Sequence, residues 1–101
     1  MLDFEEHVRR ALDALPPDLA RGLENVAVVV EEENAAEPEI LGLFQEAPYM
    51  PAKVTIYRRP LVEDFGHDPE LLEHEIRVTV LHELAHYFGI DEERLRELGY
   101  A

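Results

Sequence analysis

Between Asp68-Pro69 and Gly89 the chain carries a stretch that reads as one long helix with little room for solvent around it. An aspartate followed by proline at the first helical position is a strong start, and glycine is a good stop. On a helical wheel, Leu71, Leu72, Ile76, Val80, Leu81 and Leu84 spread around most of the circumference. A helix that is apolar on so many sides has to be packed on most of them. One stripe stays polar: Glu75, Thr79, His82, Glu83 and His86 fall within roughly 100° of one another. A buried helix keeps such a stripe when it faces a cleft or a bound metal.

Within the stripe, His82-Glu83-Leu84-Ala85-His86 matches H-E-x-x-H. Residues four apart on a helix lie one turn above each other, so two imidazoles at this spacing can reach one tetrahedral zinc. Glu83 stands slightly further round. It is poorly placed as a ligand, but it can reach a water in the metal's open position and take its proton. A third ligand is expected beyond the helix end. Asp91 and Glu92, five and six residues after His86, are the candidates. Asp91 is also the natural N-cap of a last short helix. His74 is a weaker candidate, expected to be partly exposed like His7 and His67.

The rest of the chain reads as short elements around that helix. Phe4, Val8, Ala11, Leu12 and Leu15 give residues 3–15 the period of an amphipathic helix, capped by Asp3 and ended by Pro16-Pro17. A helical turn is expected over 18–23. Val26 to Val30 is a β-branched run with the look of a buried strand, Ile40 to Phe44 a second strand weakened by Gly42, and Lys53 to Tyr57 a third. Lys53 to Tyr57 is expected at a sheet edge, where an extended peptide could pair with it. A short helix is expected over 60–65. Tyr57 and Tyr100 are candidates for hydrogen-bonding a tetrahedral oxyanion. With 101 residues and no repeat or linker, residues 1–101 are expected to form a single domain.

The net charge of −14 argues against nucleic acid and against anionic membrane surfaces as partners. The absence of cysteine excludes disulfides and thiolate metal sites. No apolar run approaches a membrane span, and no leader is evident, so the expected compartment is the cytoplasm.

His82, Glu83, His86 and Gly89 resemble the H-E-x-x-H-x-x-G stretch of metzincin-type peptidases, and the position of their third ligand is Glu92 here. Residues 78–90 and the closing Leu95 to Tyr100 are similar to small bacterial zincin-like proteins, the mini-zincins. That resemblance implies an α+β zincin-like fold. It comprises a mixed sheet of about three strands, packed with an active-site helix and an N-terminal helix. It also implies one zinc ion held by His82, His86 and Glu92, with Glu83 as the general base. The function expected from it is zinc-dependent hydrolysis of peptide bonds in a peptide or unfolded segment. The alternative is a zinc-binding module without proteolytic activity, acting in binding or regulation.

Overall fold

A computed structural model describes residues 3–88 and 91–100, the side chains of residues 86–88 excepted. Its elements run α1 (Phe4–Asp13), α2 (Pro17–Arg21), β1 (Val26–Glu31), β2 (Gly42–Gln45), β3 (Ala52–Tyr57), α3 (Arg58–Phe65), α4 (Pro69–Phe88) and α5 (Glu92–Glu97). The architecture is α+β. Three strands form one mixed sheet, with helices α1 and α4 packed over one face of it.

Local chemistry sets most boundaries. Asp3 caps α1 by accepting the Glu6 amide at 2.9 Å. The helix stops at Asp13, two residues short of the expected end. Pro16 and Pro17 lack amide hydrogens and disfavour helical geometry before them. Leu15 is nonetheless buried, so its place in the helical period reflects packing rather than helix. Helix α3 starts at Arg58, two residues earlier than expected, and Pro60 fits its first turn, where the missing amide costs nothing. Asp68 caps α4 through the amides of Glu70 and Leu71, at 3.0 and 3.3 Å. The expected terminator, Gly89, lies outside the described residues.

The strand order is β1-β3-β2. Strand β3 runs parallel to β1, with Val28 opposite Val54 and Val30 opposite Ile56. It runs antiparallel to β2, with Gly42 opposite Ile56 and Phe44 opposite Val54. The expectation that 53–57 lies at an edge is therefore wrong. Val54, Thr55, Ile56 and Tyr57 are all buried because β3 has a neighbour on each side. The valine run of β1, expected to be buried, lies at an edge and is half-buried. Strand β2 starts at Gly42 instead of Ile40 and forms the other edge, beside α4.

Two apolar clusters hold the layers together. In the larger, Phe4, Val8 and Ala11 of α1 meet Ile76, Val80 and Leu84 of α4 over Val54 and Ile56. In the smaller, Leu81 of α4 joins Leu15, Leu19 and Leu95, which ties α5 to the N-terminal segment. Helix α4 feeds both clusters from different sides, as its wheel requires. Among the described residues no helix is long and apolar enough to cross a membrane.

Candidate active site

The polar stripe of α4 lies against edge strand β2. Gly42 makes the close approach possible. A Cβ built on it would stand 2.6 Å from Cγ2 of Thr79 and 3.2 Å from the Thr55 carbonyl oxygen. The same glycine that weakens the strand by propensity lets the helix reach it.

The backbone of β2 presents one side to this helix. The Tyr57 amide donates to the Leu41 carbonyl at 3.0 Å, so Leu41 points its peptide groups at β3. Antiparallel alternation then turns those of Gly42 and Phe44 away from β3, outward from the sheet edge. The Phe44 amide donates to Oε2 of Glu83 at 3.2 Å. The glutamate of the motif is thereby tied by one carboxylate oxygen to the edge strand. A cleft of about 370 Å³ opens beside it, lined among others by Glu39, Gly42, Glu75, Thr79, His82 and Glu83. Four of the five stripe residues thus share one cleft. The Thr79 hydroxyl donates to the Glu75 carbonyl of its own helix at 2.8 Å, which leaves Glu75, Glu83 and His82 as the reactive groups that the stripe brings to the cleft.

His82 is exposed at the cleft, and Glu83 is half-buried beside it. His86 follows one turn later on the same unbroken helix, and its side chain lies outside the described residues. Asp91 caps α5 by accepting the Glu93 amide at 2.8 Å, and Glu92 is exposed in the first turn of that helix. Among the described residues no group of three histidines or carboxylates is gathered tightly enough to hold a metal. The described donors nonetheless fit a zinc site in kind. An accessible imidazole stands next to a carboxylate whose second oxygen is not engaged by Phe44. His82 and His86 are the residues that the motif names as able to hold such an ion.

Other sequence candidates lie elsewhere. Tyr57 accepts the Asn34 side-chain amide at 3.0 Å. Tyr100 packs against His74, with ring centroids 5.5 Å apart, and under the Arg77 guanidinium. Neither tyrosine lines the cleft. His67 is exposed and His74 half-buried. His7, expected to be partly exposed, is buried. Its Nδ1 meets Glu73 at 2.7 Å, joining α1 to α4 inside the larger cluster's rim.

Sequence reasoning missed the far wall of the cleft, formed by Glu39, Ile40 and Leu41 of the β1–β2 connection. Arg59 holds this segment in place. It donates to the Pro38 carbonyl and reaches Glu33 at 2.9 Å, Glu39 at 3.2 Å and Glu63 at 2.7 Å. Glu63 first, then Glu33 and Glu39, hold the Arg59 guanidinium above its ordinary range. Nothing in the local sequence marks such a contact, because its partners lie up to 26 residues apart.

A family model described as zincin-like metallopeptidase matches residues 23–100, which span the sheet, the helix and the cleft between them. The chain belongs to this family. A conserved hypothetical protein from T. thermophilus, known as a solved structure, is similar to this zincin-like chain. The two share 26% identity and a TM-score of 0.54, over 85% of this chain and 91% of that one. No curated protein matches the chain.

Proposed function

We propose that this zincin-like protein is a zinc-dependent peptidase that cleaves peptides or unfolded segments, with Glu83 as its general base. The observation that carries the reading is the Glu83–Phe44 hydrogen bond, which fastens the motif's carboxylate beside the outward backbone of an edge strand. An extended chain pairs with such an edge through its own peptide groups. Its scissile bond would then lie within reach of the groups on the α4 stripe.

Zinc, when bound by His82 and His86 with Glu92 as the proposed third ligand, supplies Lewis acidity that polarises a carbonyl and acidifies a water. The remaining steps fall to the chain. The Phe44 amide fixes one oxygen of Glu83 and so orients the other. That second oxygen accepts the proton of the attacking water and later returns it to the departing amine. Thr79 and Gly42 keep helix and strand in close contact, which holds the base at a constant distance from the edge.

The substitution that tests this is Glu83→Gln, which keeps an acceptor for the Phe44 amide and removes the base. Zinc content should remain stoichiometric, while hydrolysis of an unstructured peptide library should fall by about 10²–10⁴-fold. A Glu83→Gln protein as active as the parent would refute the assignment. In a companion measurement, His86→Ala should lose stoichiometric zinc.

A further inference from the structure

The cleft beside Glu83 carries a charge and a shape that together select a ligand. Glu39, Glu75 and Glu83 line it, and among the described residues no lysine or arginine does. Among the described residues, nothing pairs with the carboxylate of Glu75, which is half-buried. Glu39 reaches Arg59, but that single guanidinium also serves Glu33 and Glu63, so it does not neutralise the cleft. Between the carboxylates the walls are apolar, from Ile40 and Leu41 on one side and Val78 on the other. The three carboxylates do not converge closely enough for a metal ion. Apolar walls with acidic ends fit a long aliphatic stem that ends in a cation.

Strand geometry delivers such a stem. Alternate side chains of an extended segment beside β2 point to opposite faces of the sheet. Those on the helix side enter the cleft next to Gly42 and Thr79. We infer that the Glu39–Glu75 cleft receives the lysine or arginine side chain of an unfolded peptide lying along β2, making basic peptides the substrate class. The inference rests on the peptidase reading for the placement of the peptide. The carboxylate of Glu75 meets the cation, Ile40 and Val78 cover its stem, and Glu39 closes the outer end.

Binding separates this inference from catalysis. Zinc-loaded Glu83→Gln protein is titrated, by fluorescence anisotropy, with labelled unstructured decapeptides that differ only in a central Lys, Gln or Glu. The Lys peptide should bind about tenfold more tightly than the Gln peptide, and the Glu peptide most weakly. Adding Glu75→Gln should bring the Lys and Gln peptides close to parity, and Glu39→Gln should lower the ratio by less. Adding Glu24→Gln, at an exposed site before the opposite sheet edge, should leave the ratio unchanged. That control separates the cleft from the general attraction of an acidic protein for cations. Equal binding of Lys and Gln peptides, or a ratio that survives Glu75→Gln, overturns the inference. If the parent protein cleaves peptides without regard to basic residues, the inference fails and the peptidase reading stands. If the Lys preference appears but the parent cleaves nothing, recognition stands and the peptidase reading fails.

Discussion

Gly42 shows how one missing methyl group places the motif helix against the sheet. Its absent Cβ is what allows Thr79 to sit against the β2 backbone, and Thr79 cannot easily yield because its Cγ2 is fixed on a buried, β-branched side chain. Gly42→Ala should therefore cost about 1–3 kcal/mol, as overpacking does, in urea denaturation. Pairing it with Thr79→Ser, which removes the clashing methyl, should recover much of that loss. An unchanged denaturation midpoint in Gly42→Ala would show that helix and strand are not in close contact there. The sequence suggests the opposite meaning for this residue, since a glycine inside a strand pattern ordinarily marks weakness. Its value appears only once the partner is known, and Thr79 lies 37 residues away (79 − 42). The same holds for His7. Expected to be partly exposed, it is buried, because its partner Glu73 belongs to a different helix.

At the scale of elements, the motif helix is the best-determined part of the fold. Its cap at Asp68, its proline at the first position and its polar stripe are all local signals; the cap, the proline and four of the five stripe residues are in place, and the side chain of His86 lies outside the described residues. The sheet is where local reasoning fails. Strand existence follows from short β-branched runs, but strand order depends on pairings between distant segments, and alternation alone cannot distinguish centre from edge. Strand β3 illustrates this with Thr55, which is fully buried and whose hydroxyl has no hydrogen-bond partner among the described residues. A threonine in an edge strand would have kept contact with water. Thr55→Val, nearly identical in shape, removes an unsatisfied hydroxyl from the middle of the sheet. It should raise stability by about 1 kcal/mol, near the lower bound for an unmade hydrogen bond. Thermal and urea denaturation of the variant measure this, and a loss of stability would mean that the hydroxyl is satisfied in solution.

For the molecule as a whole, charge dominates. Against 23 acidic side chains stand 9 basic ones, on a body with a radius of gyration of 13.0 Å. At about 10 mM salt the screening length is roughly 30 Å, comparable with the molecule's largest dimension of 33 Å, and nearly all the carboxylates repel one another. At about 150 mM it falls to roughly 8 Å and the repulsion becomes local. The melting temperature should therefore rise as sodium chloride is added over this range. Screening also weakens the ion pairs of Arg58 with Glu32 and Arg94 with Asp18, which work in the other direction. These pairs are surface contacts and of small worth. A melting temperature that falls with salt would show that they outweigh the general repulsion.

The length of β2 has a kinetic meaning. Four residues, with only Gly42 and Phe44 turned outward and the Phe44 amide already given to Glu83, make a short edge for a guest chain to hold. At about 0.5–1.5 kcal/mol for each hydrogen bond, such a hold is slight. Residence on the protein would be short, and release of cleaved ends fast. Discrimination between guests would then have to come from side chains in the cleft, because the main chain alone is gripped too weakly to tell one guest from another.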